Sequence, residues 1–307
     1  MVATDQDIFD RDLLMRRRDR VAAGAGLHDF LLARVADDLI ERLGAVQRRF
    51  PVAVELGAYH GLLGRRLRQV PGIGLVVQTE PAWRLLEQCD GVRVQANEEA
   101  LPFRDQSLDL VTSGLSLQFV NDLPGTFVQI RRALKPDGLF LAALLGGRTL
   151  SELRNALLAA EEEIEGGASP RVAPFAELQD FGALLQRANF ALPVVDADTL
   201  TVTYPDALAL MRELRGMGAT NALKARRRRP LRRATLGRAS SLYQERFGLS
   251  NGRVPATFEI ITLTAWAPHE NQQRPLAPGT ATHRLADALG TVELPTGDPA
   301  RRLPPGR

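Results

Sequence analysis

Apolar and polar positions follow one another along this chain in blocks that predict strands and helices in turn. Short apolar runs lie at residues 52–56, 74–79, 92–96, 108–112 and 139–145. Most of these runs are followed by a polar loop and then by a segment with apolar residues at helical spacing. Repetition of strand, loop and helix is typical of βαβ units and of a mostly parallel sheet. The pattern therefore predicts an α/β protein.

The segments outside these repeats predict further elements. Residues 8–20 and 29–43 have helical patterns, and we expect them to form an N-terminal helical cap over residues 1–45. Residues 194–204 and 257–266 alternate apolar with polar side chains, as strands do. Beyond residue 268 the chain is rich in Pro, Gln, Arg and Gly, so we expect 269–307 to form a largely disordered tail.

Composition limits the chemistry and the location of the protein. With 307 residues and 45% hydrophobic content, the chain can bury a large core. Its one cysteine, Cys89, and its four scattered histidines provide no metal-ligand spacing, so no metal site is predicted. No apolar run approaches the ~20 residues that a membrane span needs. The N-terminus is rich in Asp and has no apolar signal region, so we expect a cytoplasmic protein.

Positive charge is concentrated in one segment. Residues 224–233 read K-A-R-R-R-R-P-L-R-R and carry seven positive charges, in a chain of net charge +3. Such a surface could contact an anionic membrane, for example at the periphery of the inner membrane, or an acidic protein. A solvated surface without a partner is the alternative. Nucleic acid is disfavoured, because no aromatic residues are interleaved for base stacking. Three successive carboxylates, Glu161 to Glu163, are expected to form a solvated helix face.

Residues 97–140 contain the most specific motifs. Leu-Pro-Phe at 101–103 precedes Ser-x-Asp at 107–109, and Leu-Lys-Pro-Asp-Gly at 134–138 separates a helix from the next strand. This stretch closely resembles the second half of the S-adenosylmethionine-dependent methyltransferase domain. The resemblance implies a doubly wound, seven-stranded Rossmann-like sheet and S-adenosylmethionine as cofactor. It also implies a core of residues 46–204 and 255–268, and a helical, basic insertion at 205–254 between strands six and seven, which would lie over the active-site face.

In such a sheet, ligands bind beyond the carboxyl ends of the strands. The loop from Glu55 to Gly61 resembles the family's acidic-x-Gly-x-Gly-x-Gly motif, although Tyr59 replaces the middle glycine. Glu80, at the end of the second strand, could accept both ribose hydroxyl groups. Residues 97–99 lie where the family commonly places an acidic residue near the adenine. The predicted cofactor-binding residues are Glu55, Gly57, Ala58, Gly61, Glu80, Asn97, Glu98, Ser113 and Leu115.

Methyl transfer can rely mainly on positioning, because the sulfonium already activates the methyl group. No single catalytic side chain is therefore required by the sequence. The candidates, chosen by their positions at strand ends, are Gln118, Asp122, Arg148 and Tyr204.

A wider resemblance covers most of the chain. The leader I-F-D-R-D-L-L-M-R-R-R-D-R and the blocks G-G-R-T-L-S-E-L-R and L-R-G-M-G-A-T-N-A-L look like those of bacterial relatives of mitochondrial complex I assembly factor 5. This similarity implies an alternative function: arginine hydroxylation, or assembly, of a respiratory NADH dehydrogenase subunit. The sequence thus leaves three hypotheses, namely a methyltransferase of unknown acceptor, such a hydroxylase or assembly factor, and a cofactor-binding protein without catalysis.

Overall fold

The computed structural model describes residues 7–272 and 283–292. One mixed sheet of seven strands lies at the centre of the first range, in the order β3-β2-β1-β4-β5-β7-β6. The strands are β1 (Phe50–Leu56), β2 (Ile73–Thr79), β3 (Val92–Val94), β4 (Leu108–Gly114), β5 (Leu134–Leu145), β6 (Ala191–Tyr204) and β7 (Val254–Trp266). Strands β1 to β5 pair in parallel, and β7 pairs antiparallel with both β5 and β6. The predicted fold class is confirmed.

Helices cover both faces of this sheet. The helices of the unit that contains the sheet are α1 (Arg11–Val21), α2 (Phe30–Gly44), α3 (Leu62–Leu67), α4 (Trp83–Leu86), α5 (Leu123–Ala133), α6 (Ser151–Glu165), α7 (Leu178–Arg187), α8 (Ala207–Gly216) and α9 (Arg233–Phe247). A further helix, α10 (Leu285–Leu289), belongs to a separate unit of the chain. Short 3₁₀ helices also occur at Ala22–Leu27 and Leu117–Phe119.

The central strands are apolar along most of their length because both faces of a parallel sheet are covered. One core layer joins β1, β4 and β5 to α2, α3, α6 and α9, with Leu39 and Tyr243 fully buried. The other layer packs α5 and α7 on the opposite face, around Phe127 and Phe140, whose rings meet edge to face. Packing on both faces holds the carboxyl ends of the parallel strands in fixed positions.

The predicted hairpin of β6 and β7 is interrupted by the helices α8 and α9, as the sequence indicated. Tyr243 on α9 is buried and its hydroxyl group donates to the carbonyl of Pro255 at 2.7 Å, which ties α9 to the start of β7. The basic segment is not a helix. It is a loop that leads into α9, which begins at Arg233.

A strap, which we define as residues 217–226, joins the insertion to the N-terminal helices. The amide of Asp10 donates to the carbonyl of Ala222 at 2.7 Å, and the amide of Lys224 donates to the carbonyl of Ile8 at 2.8 Å. Arg17 on α1 donates to the carbonyls of Thr220 and Asn221. These hydrogen bonds fix the strap against α1 and the residues just before it, so the strap and the N-terminal segment pack together as one layer.

Two details differ from the sequence expectations. Glu161 is fully buried, where its carboxylate accepts hydrogen bonds from Arg171 and Ser169, so the prediction of a solvated face is wrong for this residue. The reason is that the loop following α6 folds back over that helix. The Lys135 to Gly138 segment, expected to separate the helix from the next strand, lies within β5, where the pairing with β4 is irregular between Leu134 and Leu139.

Much of the predicted tail, residues 273–282 and 293–307, lies outside the described residues. Within 283–292 the structure has the short helix α10. In the part of the chain that is described, no helix combines the length and the apolar character needed to cross a membrane.

Candidate active site

A partly open crevice lies at the carboxyl ends of β1 and β4. The loops after these strands provide one wall. The N-terminal helices and the strap provide the opposite wall. The lining residues on which the argument depends are Arg18, Asp29, Gly57, Tyr59, Leu115, Gln118, Phe119 and Met217. This is the edge of the sheet at which the sequence placed the cofactor.

Gly57 is the point of closest backbone approach in the loop after β1. Its φ is +64°, in the left-handed region that favours glycine. A Cβ at this position would lie 2.0 Å from Oγ of Ser116 and 2.9 Å from Oε1 of Glu98. The loop after β1 therefore lies directly against the residues that follow β3 and β4. The absence of a side chain at Gly57 allows this close packing, and the residue lines the crevice.

The ring of Tyr59 forms part of the crevice wall and does not fill it. Its φ of +54° turns the chain sharply, and the ring meets that of His60 edge to face, with 5.3 Å between centroids. The hydroxyl group is buried and has no hydrogen-bond partner among the described residues. Burial raises the pKa of Tyr59 to about 12, so the phenol is neutral. An unpaired polar group of this kind beside a crevice is available to a ligand.

Glu80 lies at the tip of β2, fully buried. Its two oxygens accept hydrogen bonds from the amides of Tyr59 (2.9 Å) and Ala82 (3.0 Å). Arg18 of α1 approaches to 3.6 Å. Burial raises the pKa of this carboxyl group, and the effect outweighs the opposing charge of Arg18. The carboxylate thus has the predicted position, but a guanidinium group covers it in this structure.

The loop after β3 contains a second buried carboxylate. Glu98 forms an ion pair with Arg11 of α1 and accepts a hydrogen bond from Ser116. Burial alone would raise the pKa of Glu98, but Arg11 and Arg18 lower it below its ordinary value, so this group is charged. Asn97 accepts a hydrogen bond from Arg11 at 2.7 Å. Helix α1 therefore neutralises the acidic edge of the site.

The sequence did not indicate Arg11 and Arg18 as site residues. A signal was present, because two arginines seven positions apart lie on one face of a helix, with Leu14 between them. Leu14 and Arg18 are both buried. In a chain this rich in arginine, the spacing alone could not distinguish an inward face from a solvated one.

Other predicted cofactor-binding residues do not line the crevice and instead hold in place the loops that follow the strands. Glu55 is buried below α3, where Gln78 donates to it at 2.7 Å, and it does not line the crevice. Ser113 donates to the carbonyl of Leu56 at 2.9 Å, and the amide of Ala58 donates to the carbonyl of Thr79 at 2.8 Å. Gly61, with φ +83°, is the capping residue before α3. These contacts fix the ends of β1, β2 and β4 relative to one another.

Glu55 should make stability depend on pH. Burial raises its pKa to about 8, so the folded protein binds a proton that the unfolded chain releases above about pH 4.5. Stability attributable to this group is therefore present in acid and is lost as pH rises from about 4.5 to about 8. We expect Glu55→Gln to unfold at higher temperature than the parent at pH 8, and the difference to shrink at pH 5. Thermal unfolding followed by circular dichroism measures this difference, and an equal difference at both pH values would contradict it.

The four catalytic candidates are not brought together. Gln118 lines the crevice; its Nε2 donates to the carbonyl of Leu115 at 2.8 Å, while its Oε1 is buried without a partner. Asp122 caps α5 by accepting from the amide of Gly125 at 2.8 Å. The side chain of Arg148 is exposed, and Tyr204 is packed in the core. Among the four, Gln118 is the residue that lines the crevice.

Two residues at the start of α2 also belong to this region and were missed. Asp29 lines the crevice and approaches Nε2 of His60 at 3.0 Å. Burial lowers the pKa of His60, so its ring is neutral. His28 pairs through Nδ1 with Glu213 of α8 at 2.9 Å, which connects the insertion to the cap. Neither contact has a local sequence signal, because each joins segments far apart in the chain.

No group of three or more His, Cys, Asp or Glu side chains arranged to hold a metal ion occurs within 7–272 or 283–292.

Solved structures share this fold. A methyltransferase of Bacillus halodurans superposes with a TM-score of 0.54 at 15% identity, covering 76% of this chain and 100% of that one. The YcgJ protein of Bacillus subtilis gives the same TM-score and identity, with 77% and 99% covered. At this identity the likeness shows the fold alone. The fold is that of the Rossmann-like methyltransferases.

The sequence comparisons are more specific. A family model described as a methyltransferase domain matches residues 53–142. The protein named "Arginine-hydroxylase NDUFAF5, mitochondrial" is 37% identical in Danio rerio, covering 92% of this chain and 89% of the relative. The human protein of that name is 38% identical, with 98% and 86% covered. The malonyl-[acyl-carrier protein] O-methyltransferase of Xylella fastidiosa is 33% identical, with 85% and 89% covered.

The chain therefore belongs to the S-adenosylmethionine-dependent methyltransferase family, among relatives that include the NDUFAF5 proteins. The resemblance drawn from the motifs is confirmed, as is S-adenosylmethionine as cofactor. The residues present fit this group. Gly57, Tyr59 and Gln118 line the crevice, and the side-chain oxygens of Tyr59 and Gln118 have no hydrogen-bond partner among the described residues. Glu80 accepts from the amide of Tyr59 and lies beneath Arg18, which would have to move for a ligand to reach the carboxylate.

Proposed function

We propose that the protein transfers a methyl group from S-adenosylmethionine to a nucleophile that lies beside Gln118. The observation that carries the proposal is the crevice that Gly57, Leu115 and Gln118 line together. The sulfonium of the cofactor supplies an activated methyl group. The protein then needs only to bind the cofactor and the acceptor, to orient them and to exclude water.

Each residue has a role in this proposal. The main chain at Gly57, Ala58 and Gly61 would lie along the methionine part of the cofactor. Glu80 would accept the ribose hydroxyls, and Asn97 and Glu98 would lie at the adenine. Leu115 would pack on the cofactor, while the free Oε1 of Gln118 would accept a hydrogen bond from the acceptor's N–H or O–H group. Glu55 and Ser113, behind the loops, would hold them in place.

Calorimetric titration with S-adenosylmethionine tests the proposal directly. We expect saturable binding of the cofactor and of its demethylated product, S-adenosylhomocysteine. Incubation of a deletion-strain extract with radiolabelled cofactor and the purified protein should then label an acceptor. Absence of cofactor binding at millimolar concentration would refute the enzymatic proposals together and leave a protein without this chemistry.

Arginine hydroxylation is the second candidate. It is supported by the 37–38% identity to proteins named arginine hydroxylase, which extends over more than 90% of the chain. In this case the substrate would be a subunit of a respiratory NADH dehydrogenase. Mass spectrometry of that enzyme's subunits from wild-type and deletion strains separates the candidates, because one product gains a methyl group and the other gains an oxygen atom. Unmodified subunits in the wild type would contradict this candidate.

The basic segment provides a possible contact surface for a partner. Lys224, Arg226 and Arg227 form ion pairs with Asp7, Asp10 and Glu165. Four further arginines are exposed: Arg228, Arg229, Arg232 and Arg233. We propose that these four contact an anionic membrane surface or an acidic protein. Exposed charges attract an anionic surface, and salt screens that attraction.

Vesicle sedimentation measures this contact. The protein should sediment with vesicles that contain phosphatidylglycerol and not with vesicles of phosphatidylcholine alone. Changing the four exposed arginines to glutamine should remove most of this binding. Equal sedimentation of the variant and the parent would contradict a role for the basic segment, and no binding to either vesicle would leave an acidic protein as the proposed partner.

A further inference from the structure

A second, partly open cavity, lined in part by residues of the strap and of α8, continues from the crevice. The two share lining residues, so they are adjacent spaces in one protein interior. The shared residues are Leu31, Phe119, Leu145, Met217 and Ala219. The proposed reaction uses only the first cavity, and the second has no role in binding the cofactor.

The lining of this second cavity is apolar. It consists mainly of leucine, phenylalanine and methionine side chains from α2, α6, α8 and the loops around them, among them Leu31, Leu153, Leu157, Phe175, Met211 and Leu214. A concave apolar surface beside a reaction site is typical of a ligand pocket. Methionine side chains at its wall can adapt to the shape of an apolar ligand.

Most of the few polar groups at the wall are already engaged. Arg171 forms an ion pair with the buried Glu161. Asn221 donates to the carbonyl of Pro170 at 2.7 Å and accepts from the amide of Leu223. The carbonyl of Thr220 accepts from Arg17. A ligand in the cavity would therefore find few free donors or acceptors.

The scarcity of free donors and acceptors at the wall decides between two kinds of ligand. A peptide segment carries one N–H and one C=O group per residue, and burying such groups without partners costs roughly 1–3 kcal/mol each. An aliphatic chain has no such groups and gains free energy from burial. The wall therefore favours a hydrocarbon chain over a polypeptide.

We infer that the second cavity holds an aliphatic chain of the methyl acceptor. The acceptor is then an amphiphile, whose polar, methyl-accepting end lies at Gln118 and whose hydrocarbon chain extends under α8. The inference rests on the proposed methyl transfer and deepens it by naming the chemical class of the substrate. The reaction itself is unchanged: the acceptor's nucleophile forms a bond to the methyl carbon as the carbon–sulfur bond breaks, and the acceptor's proton leaves to solvent.

Binding of simple fatty acids tests the inference. Octanoate, dodecanoate and hexadecanoate would be titrated into the full-length protein in the presence of S-adenosylhomocysteine. Leu214→Trp would fill the cavity from α8. Leu208→Trp, on the same helix, is the matched control, because Leu208 is 40% exposed and does not line the cavity. We expect saturable binding of at least one acid, at least tenfold weaker in Leu214→Trp and unchanged in Leu208→Trp.

The outcomes are separable from those of the proposed function. The inference would be overturned if none of the three acids showed saturable binding. It would also be overturned if both variants bound the acids equally well, because the acids would then bind elsewhere on the surface. Each protein's affinity for S-adenosylmethionine is measured in parallel and should not change. Loss of cofactor binding in the parent would refute methyl transfer instead. If Leu214→Trp does not fold, Met211→Phe narrows the same cavity and is judged by the same criterion.

Discussion

Replacing Gly57 by alanine should weaken binding of S-adenosylmethionine about 100-fold, or about 2.8 kcal/mol. Two effects add at this position. The φ of +64° disfavours any residue with a Cβ, and the new methyl group would lie 2.0 Å from Oγ and 2.2 Å from Cβ of Ser116. Because the loop must move away from Ser116, the main chain can no longer lie along the crevice. Calorimetric titration of the purified variant measures the change.

Two further variants separate the clash from the backbone strain. Gly166 also has a positive φ, +71°, but nothing lies within 4 Å of its Cβ position. Gly166→Ala should therefore lose a little stability and bind the cofactor as the parent does. Ser116→Gly removes the two atoms that collide most severely and leaves Oε1 of Glu98 at 2.9 Å, so Gly57→Ala combined with Ser116→Gly should recover part of the lost affinity. Unaltered cofactor binding by Gly57→Ala would show that the loop after β1 does not contact the ligand.

The sheet could be predicted because its signals are local. Each parallel strand is an apolar run followed by a turn, so the positions of β1, β2 and β4 could be predicted from residues adjacent in sequence. Burial of Glu161 could not be predicted in this way. Its partner Arg171 lies beyond a glycine-rich break, and only the folded loop brings the two together.

The candidate site could be predicted in part for the same reason. Gly57, Glu80 and Leu115 follow strand ends, and the topology brings strand ends together. Tyr204 has a similar position in the sequence, at the end of β6, but β6 is the edge strand farthest from the crevice in the strand order. Arg18 and Met217 reach the crevice from the cap and the strap. Their approach depends on contacts between segments about 200 residues apart, which no local pattern encodes.

Replacing Glu80 by glutamine should weaken cofactor binding about 10- to 100-fold, which corresponds to roughly 1.5–3 kcal/mol for hydrogen bonds to a charged group. The carboxylate oxygens accept from the amides of Tyr59 and Ala82, and they retain lone pairs for ribose hydroxyl groups. Glutamine has only one acceptor oxygen and cannot serve all of these donors. It also leaves Arg18, 3.6 Å away and 8% exposed, without its countercharge.

The pH dependence of binding identifies the charge as the cause. Because burial raises the pKa of Glu80, its carboxylate gains a proton at a higher pH than an exposed glutamate would. Affinity of the parent for S-adenosylmethionine should therefore fall on acidification, whereas Glu80→Gln should bind weakly and with little change across the same range. Glu87→Gln, at an exposed glutamate just after α4, is the matched control and should follow the parent at every pH. Parallel pH profiles for the parent and Glu80→Gln would mean that the ribose is bound elsewhere, since a neutral side chain at position 80 cannot reproduce a titration that belongs to its carboxyl group.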